Sequence, residues 1–426
     1  MARRVESEVL SSSAGSAAPA PARRRSSGIT LLGPAFVAAI AYVDPGNVAA
    51  NLTAGAEYGY LLLWVLVAAN LMAMIVQYLS AKLGLVTGRS LPEVLGARMR
   101  PWPRRLYWLQ AEIVAAATDV AEVIGGALAL YLLFGVPLPL GGLIVGVVSM
   151  ALLQLQSRRG QRTFEFVVMG LLGVITLGFL AGLLFSPLDP RGMVDGLVPR
   201  FQGSQSVLLA ASMLGATVMP HAVYLHSALA RDRHGARNAP SRIRQLLVAT
   251  RWDVALSLVV AGGVNIAMLL LAAASLPGVA GTDSIEGAHA AITSALGPTI
   301  GVIFAIGLLA SGLASTSVGC YAGATIMSGL LRVRVPMLVR RAVTLVPALI
   351  LLAVGIDPTW ALVLSQVLLS LGLPFALTPL ARLTERVDVM GAFRNGRWLR
   401  AVAWLVVALI VALNVLLLAL IFTGRA

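Results

Sequence analysis

Long apolar segments limit what this chain can fold into more than any other feature of its sequence. Eleven of them, most about 20 residues or longer, follow one another along 426 residues and are separated by short polar connections. A helix needs about 20 apolar residues to cross a bilayer, whereas barrel strands are shorter and alternate. Only 12% of the residues are charged, about half the fraction of a typical soluble domain. The sequence therefore predicts an all-α membrane protein.

Eleven transmembrane helices are predicted from these segments. The predicted spans are 30–56, 60–84, 105–134, 139–156, 164–186, 206–229, 248–277, 290–330, 336–355, 358–380 and 399–423. Residues 1–28, rich in Ser, Ala, Pro and Arg, are interpreted as a disordered tail. The first apolar run begins late for a signal peptide, near Ile29, and no convincing cleavage site follows it. It is therefore interpreted as a retained first span.

Basic residues alternate from one connection to the next. All but three of the 32 Lys and Arg lie in the amino-terminal tail and the even-numbered connections, the exceptions being Arg191, Arg200 and Arg425. Cytoplasmic connections are enriched in Lys and Arg, so this side is expected to be the cytoplasm. We expect a plasma (inner) membrane protein with its amino terminus inside and its carboxyl terminus outside. Topology thus explains the net charge of +14, and no nucleic-acid partner is expected.

Two spans contain residues that do not suit the interior of a membrane helix. Span 1 carries the motif DPGN at 44–47 near its middle, and span 6 carries MPH at 219–221. Proline removes a backbone donor and clashes with the preceding turn, and glycine favours non-helical backbone, so both helices are predicted to be broken at mid-depth. Asp44 there costs at least ~2.5–3.5 kcal/mol unless a partner compensates it. A proline kink that only shapes packing is the alternative for either helix.

The two breaks divide the chain into halves of similar organisation. Spans 1–5 and spans 6–10 each begin with a broken helix, and five spans per unit invert the second copy. Such inverted repeats are typical of secondary transporters, whose sites form where discontinuous helices meet at the midplane. The predicted organisation is a cytoplasmic tail at 1–28, a first repeat at 29–186, a second repeat at 206–380 and an additional helix at 399–423.

The broken helices would expose ligands for a cation. Backbone carbonyls, a carboxylate, an amide oxygen and a thioether lie at the two breaks, and a further amide lies in span 10. Oxygen ligands alone suit magnesium or calcium, whereas a thioether favours softer transition metals. Ordinary core packing of the methionine is the alternative. The candidate metal ligands are Asp44, Asn47, Met219, Gln366 and the carbonyls of Ala41 and Ala216.

Carboxylates on span 3 form a second polar group. Asp119 and Glu122 are three residues apart and therefore share a helical face. Glu112 lies two turns earlier, close to the same stripe. Carboxylates strung between the midplane and the cytoplasm are what a proton relay needs.

Two histidines on span 6 extend this group. His221 and His226 lie about one and a half turns apart, and histidine is the side chain whose ordinary pKa suits proton transfer near neutral pH. The alternative to a relay is a set of buried ion pairs with arginines at the cytoplasmic ends, such as Arg233 or Arg341. One residue could serve both roles.

With these residues in place, the sequence resembles the Nramp family of divalent metal–proton symporters, which includes bacterial manganese transporters. Its two hallmarks are the DPGN motif on span 1 and the MPH motif on span 6. GRSLPE at 88–93, ATDVAE at 117–122 and SQVLLSLGLPFAL at 365–377 extend the likeness from about Leu32 to the last span. The resemblance implies a LeuT-type fold with 5+5 inverted repeats plus one extra helix, and helices 1 and 6 broken at the midplane.

The resemblance also implies roles for particular residues. It implies metal coordination by the candidate ligands above, with Gln366 joining in one state of the cycle. Relatives that carry magnesium or aluminium lack the methionine, so Met219 implies a manganese or iron type. Mn²⁺ or Fe²⁺ and H⁺ would be transported substrates, and no cofactor is expected. The implied proton pathway comprises Asp44, Asp119, Glu122 and His221, with Arg233 and Arg341 as charge partners.

Other functional classes fit the sequence less well. A sodium-coupled carrier of an organic substrate such as an amino acid is the main alternative, but Asp44 would repel a substrate carboxylate at the break. A channel or a metal-sensing receptor lacks a filter sequence or a large soluble domain, and short connections leave no room for an enzyme's catalytic constellation. The expected partners are divalent metal ions, protons and the lipid bilayer, with no obligate protein partner.

Overall fold

The computed structural model describes residues 34–159, 170, 173–174, 176–177, 179–180, 182–184, 186–235, 238–279, 281–282, 284–333 and 335–423. All regular structure in these residues is helical. The α-helices are α1 (Pro34–Ile40), α2 (Pro45–Tyr58), α3 (Leu63–Thr87), α4 (Leu91–Arg98), α5 (Pro101–Phe134), α6 (Leu138–Arg159), α7 (Pro190–Asp195), α8 (Gly203–Val218), α9 (Pro220–His234), α10 (Pro240–Ser275), α11 (Ile285–Leu296), α12 (Pro298–Leu330), α13 (Met337–Val354), α14 (Pro358–Glu385), α15 (Val387–Met390) and α16 (Arg397–Phe422). Two 3-10 turns, Ala41–Val43 and Gly391–Phe393, complete the set.

Most predicted spans coincide with one long apolar helix. Within the described residues, eight segments are long and apolar enough to cross a membrane: α3, α5, α8 together with α9, α10, α12, α13, α14 and α16. They correspond to predicted spans 2, 3 and 6–11. Span 4 corresponds to α6, whose apolar part is shorter, Leu138–Gln154. Span 1 is divided between α1 and α2.

Two parts of the predicted organisation lie outside the described residues. These are the tail at 1–28 and most of span 5. The total of eleven spans and the division into two inverted repeats therefore stay predictions. The all-helical membrane architecture on which they rest is what the structure has.

The predicted start of span 8 was wrong, although the span itself is present. A single segment at 290–330 was expected, but the structure has two helices, α11 and α12, which meet at Gly297. Gly297 has a φ of 95°, a conformation that favours glycine, and Pro298 then occupies the first position of the new helix. The predicted segment was also too long for one crossing, because about 20 residues suffice.

The helices differ strongly in how deeply they are enclosed. In the segment formed by α8 and α9, 94% of the most apolar stretch is buried by other helices, whereas in α16 only 28% is. The main helix contacts are α12 with α5, α10 with α2, α14 with α8 and α9 with α3. The helix pair α8–α9 therefore lies in the middle of the bundle, and α16 lies at its periphery.

A glycine allows α3 and α9 to approach closely. A Cβ added to Gly84 would lie 2.0 Å from the carbonyl oxygen of Ser227. Ser80 Oγ donates a hydrogen bond to the Val223 carbonyl at 2.5 Å, and the Leu91 amide donates to Ser227 Oγ at 2.8 Å. Small residues that bring backbones together are a principal source of helix association in membranes.

We expect Gly84→Ala to destabilise the protein, because the new methyl group would meet a backbone atom and force α3 and α9 apart. Overpacking of this kind typically costs about 1–3 kcal/mol. The midpoint of thermal unfolding in detergent measures the effect. Gly263→Ala is the matched control, since an added Cβ there meets nothing within 4 Å. Equal midpoints for the two variants would contradict the close packing of α3 on α9.

Candidate functional site

The first interruption lies between the 3-10 turn Ala41–Val43 and α2. Asp44 has extended backbone and caps α2: its Oδ1 accepts hydrogen bonds from the Asn47 amide at 2.8 Å and from Asn47 Nδ2 at 2.9 Å. Aspartate is favoured at this position because it satisfies free amides at the positive end of the helix dipole. Both side chains are fully buried. The cap thus compensates the carboxylate of Asp44.

The second interruption lies between α8 and α9. Met219 separates the two helices with φ 38° and ψ 106°, a conformation that is rare for residues other than glycine. Pro220 begins α9 at a position where a missing amide is tolerated. Met219 is fully buried. The chain therefore leaves helical geometry at the methionine that the sequence singled out.

The two prolines explain which backbone carbonyls become available. In a continuous helix, the carbonyl of residue i accepts from the amide of residue i+4. The partners of Ala41 and Ala216 would be Pro45 and Pro220, which have no amide hydrogen. The Ala216 carbonyl accepts instead from Asn47 Nδ2 at 2.9 Å. The carbonyls proposed from the sequence are thus the ones that proline deprives of a helical donor.

Asn47 connects the two interruptions. Its Nδ2 donates both to Asp44 Oδ1 and to the Ala216 carbonyl, so one amide group links the start of α2 to the end of α8. Gln366 on α14 completes the group, with its Nε2 3.4 Å from Asp44 Oδ2 and 3.2 Å from Ser365 Oγ. Four residues predicted from separate parts of the sequence therefore lie together in the bundle interior.

Two side-chain oxygens of the predicted ligands have no hydrogen-bond partner among the described residues. They are Asn47 Oδ1 and Gln366 Oε1, and both are buried. A buried polar atom usually finds a partner, so an exception calls for an explanation such as a bound ion. Within the described residues, no group of three or more His, Cys, Asp or Glu side chains is placed to hold a metal. A metal here would be held by one carboxylate together with amide, carbonyl and thioether groups.

The carboxylates of α5 lie close to this site. Asp119 and Glu122 are fully buried, and none of their four carboxylate oxygens has a hydrogen-bond partner in the described part of the chain. Both face α12 at Gly319, where an added Cβ would lie 3.1 Å from an oxygen of each. Arg341 on α13, also fully buried, places a guanidinium nitrogen 3.7 Å from Asp119 Oδ1. Its Nε donates to Ser149 Oγ at 2.9 Å. Arg341, which was predicted as a charge partner of the buried carboxylates, thus lies beside Asp119.

Sequence reasoning missed the arginine beside Glu112. Arg340 NH2 lies 2.8 Å from Glu112 Oε1, and the Arg340 side chain is only 3% exposed. Consecutive residues on a helix point in different directions, so Arg340 and Arg341 reach carboxylates that lie two turns apart on α5. The available signal was two adjacent arginines at the start of an apolar span.

The two histidines belong to different groups. His221 Nδ1 lies 3.3 Å from Thr118 Oγ1, which places this histidine beside α5. His226 Nδ1 lies 2.7 Å from Gln77 Oε1 on α3, and Gln77 Nε2 donates to the hydroxyl of Tyr42 in the first interruption. The two histidines therefore make separate contacts, and their place in a proton pathway stays a prediction. Nothing in the sequence pointed to Gln77 or Tyr42.

Arg233 lies far along its helix from the second interruption. It occupies the last turn of α9, fourteen residues after Met219, a rise of about 21 Å along an α-helix. The other predicted residues are concentrated in the interior, within α2, α5, α8, the first half of α9, α13 and α14. The structure thus brings together most, but not all, of the predicted site.

Comparison with known proteins agrees with this architecture. The divalent metal cation transporter MntH of Mycobacterium tuberculosis (strain ATCC 25618 / H37Rv) is 62% identical over 394 residues, 92% of each chain. A crystal structure of the Eremococcus coleocola manganese transporter, in complex with an aromatic bis-isothiourea substituted compound, superimposes with a TM-score of 0.84 at 31% identity. It covers 96% of this chain and 91% of that one.

A more distant structure gives information on the fold alone. MhsT, crystallised with L-phenylalanine, matches 89% of this chain and 98% of its own with a TM-score of 0.62 at 14% identity. The expected LeuT-type fold is thus confirmed, and the chain is a multi-pass membrane protein. Residues 35–420 match the family model described as natural resistance-associated macrophage protein-like. The chain belongs to the Nramp family.

Proposed function

We propose that this protein imports divalent transition-metal ions, with Mn²⁺ and Fe²⁺ as cargo, and couples their entry to protons. The observation that carries the proposal is the pair of buried, unpartnered oxygens, Asn47 Oδ1 and Gln366 Oε1, beside the carboxylate of Asp44. The names of the relatives, a divalent metal cation transporter and a manganese transporter, support the same cargo.

The hydrogen bonds of Asn47 suggest how a cation would enter. The side-chain Nδ2 of Asn47 lies 2.9 Å from both Asp44 Oδ1 and the Ala216 carbonyl oxygen. A cation in the position of this nitrogen would be held by the same two oxygens. Rotation of the amide would remove the nitrogen and turn Oδ1 inward as a further ligand. The two hydrogen bonds of Asn47 Nδ2 would then be replaced by three contacts between the cation and oxygen atoms.

Met219 supplies the selectivity in this proposal. Calcium and magnesium gain little from a thioether, whereas softer transition metals accept it as a ligand. The backbone conformation described above holds Met219 at the interruption, three residues after Ala216. The position of its Cβ is therefore fixed relative to the end of α8. The methionine would therefore favour Mn²⁺ and Fe²⁺ against abundant hard ions.

The α5 carboxylates supply the proton in this proposal. Asp119 and Glu122 face the same glycine of α12, but among the described residues only Arg341 forms an ion pair with either of them, at Asp119. Two carboxylates against one arginine leave one negative charge, and a proton can neutralise it where burial makes an uncompensated charge unfavourable. Asp44 and His221 would connect this pair to the metal. The orientation expected from the basic connections would release the proton in the cytoplasm.

Transport of an amino acid is less compatible with the geometry. In discontinuous helices the free amides at a helix start receive the substrate carboxylate. Here the Asp44 side chain already accepts from the Asn47 amide at the start of α2. A second carboxylate at that place would meet like charge.

The direct test is uptake into liposomes that contain the purified protein, with manganese and internal pH followed together. The proposal expects manganese entry with acidification under an inward proton gradient. Uptake of neither manganese nor iron by the wild-type protein would overturn it, whereas metal uptake without acidification would overturn the coupling alone.

We expect Asp44→Asn to lower metal affinity about 100-fold or more, because it removes the one carboxylate of the candidate site. Titration calorimetry with Mn²⁺ on the purified protein measures the affinity. Asp388→Asn is the control, since Asp388 is exposed and pairs with Arg98 and Arg386. Normal manganese affinity in the Asp44 variant would place the metal elsewhere.

Met219→Ala should admit hard ions. We expect calcium to compete with manganese uptake at least about tenfold better than in the wild-type protein, because the variant keeps the oxygen ligands and loses the thioether. Met213→Ala is the matched control, as Met213 is equally buried in α8. If calcium competition is the same in both variants, the methionine does not select the metal.

Glu122→Gln should separate proton flux from metal flux. The variant removes the excess negative charge of the α5 pair, so we expect a severalfold smaller acidification per manganese ion taken up. Glu385→Gln is the control, because Glu385 accepts from Trp404 away from the pair. A proton-to-metal ratio equal to that of the wild type would exclude Glu122 from the pathway.

A further inference from the structure

Two adjacent grooves on the surface of the bundle are not used by the proposed transport mechanism. The first, here called the basic groove, has a volume of about 680 Å³ and lies between α3, the start of α10 and residues 389–393. The second, here called the apolar groove, has a volume of about 340 Å³ and lies between α3, α10 and Leu399 at the start of α16. Arg251 lines both, so the two grooves are adjacent at this residue.

The grooves follow each other along the helix axes. On α10 the basic groove begins at Pro240 and the apolar groove ends at Ala255, a rise of about 22 Å. On α3, which runs the opposite way, Val86 lines the basic groove, and Met74 and Ile75 line the apolar groove about 16–18 Å away. The apolar groove therefore lies within the predicted spans 60–84 and 248–277, and the basic groove continues beyond their ends.

Tryptophans mark the level at which the two grooves meet. Trp252, next to Arg251, is 65% exposed, and Trp398, next to Leu399, is 88% exposed. Exposed tryptophans of membrane proteins concentrate at the boundary between headgroups and hydrocarbon. The basic groove thus lies at headgroup level, on the side where the basic connections predict the cytoplasm, and the apolar groove lies at acyl-chain level.

The charge of the basic groove is of one sign. Among the described residues, Arg244 and Arg251 are its charged lining residues, and no acidic side chain lines either groove. They are seven residues apart on α10 and therefore share a face, about 10.5 Å apart along the axis. Neither forms an ion pair with an acidic side chain in the described part of the chain.

The start of α10 also favours binding of an anion. Its first turn contains no acidic residue, although the positive end of a helix dipole favours one. Arg242 and Arg244 lie near that end, where the dipole disfavours cations. A negative group in the basic groove would interact favourably with the helix terminus and with the arginines together.

The walls of the grooves are fixed by contacts. Arg251 lies over the ring of Tyr78, 5.4 Å from its centre, and its Nε is 3.4 Å from the tyrosine hydroxyl. Lys82 Nζ donates to Asn395 Oδ1 at 2.7 Å, and Asn395 Nδ2 donates to Thr384 Oγ1. These two hydrogen bonds hold the loop after α15 against α3. A small apolar cluster that includes Leu85, Ile243 and Leu247 lies beneath the basic groove.

From these observations we infer that the two grooves form a binding site for one anionic phospholipid, with its phosphate on Arg251 and Arg244 and an acyl chain in the apolar groove. Basic pockets between transmembrane helices on the cytoplasmic side are suited to anionic headgroups. A soluble phosphate would use only the basic groove, whereas a phospholipid uses both. The adjacency of the two grooves at Arg251 therefore favours the lipid.

Native mass spectrometry of the purified full-length protein tests this site, with phosphatidylglycerol and phosphatidylcholine as the two probes. The wild-type protein is expected to retain phosphatidylglycerol in preference to phosphatidylcholine. The double variant Arg244→Gln/Arg251→Gln should lose about tenfold or more of that preference, because each arginine near the membrane surface attracts an anionic lipid. Thermal unfolding in the same detergent verifies that each variant is folded, and the two single variants repeat the test if the double variant is not.

Two further variants separate this site from general surface charge. Arg100→Gln/Arg105→Gln removes two exposed arginines from the same side and outside both grooves, and it should keep the preference. Ala255→Phe fills the apolar groove without changing charge and should weaken retention of phosphatidylglycerol. Equal losses in the two double variants, unchanged retention in Ala255→Phe, or no preference in the wild type would each overturn the inference. None of these measurements depends on transport.

Discussion

Every amide and carbonyl of a backbone inside a membrane needs a partner from the protein, because hydrocarbon offers none. The prolines that begin α2 and α9 withdraw two donors at the centre of the bundle, from Ala41 and from Ala216. The side chain of Asn47 supplies one of them to the Ala216 carbonyl, and the same group bonds the carboxylate that caps α2. Asn47 thus replaces a donor that the backbone lacks and joins the two interruptions. The polar centre depends on this replacement.

Buried charge is arranged around this centre in an ordered way. Along α5 the carboxylates of Glu112 and Asp119 are each paired with an arginine of α13, whereas Glu122 forms no ion pair among the described residues. Gly319 gives α12 room to lie against the last two. Burial is unfavourable for any charge without compensation, so these residues fix how α5, α12 and α13 can pack. The packing of the outer helices and the chemistry of the interior are therefore linked.

Much of this could be predicted from the sequence, because it depends on local properties. Apolar length locates the long helices, and a proline predicts which carbonyl loses its donor whatever the surroundings. Partners that are distant in sequence could not be predicted: Arg340 meets Glu112 only after α13 packs on α5, and His226 turns to Gln77 because α9 lies on α3. The division of span 8 had a local signal in the dipeptide Gly297-Pro298, which the length of the apolar run obscured.

The DPGN motif has a consequence for how such a sequence can change. The aspartate caps α2, the proline withdraws the donor of Ala41, and the asparagine joins the two interruptions. The glycine leaves room for Gln366, since a Cβ at position 46 would lie 1.8 Å from the Gln366 amide nitrogen and displace that side chain. Each of the four neighbouring residues thus has a different structural role. A series of single substitutions in this motif would therefore pass through proteins in which the polar centre is disrupted. Descendants that transport a different cargo must either acquire several substitutions together or keep these four residues and vary those around them.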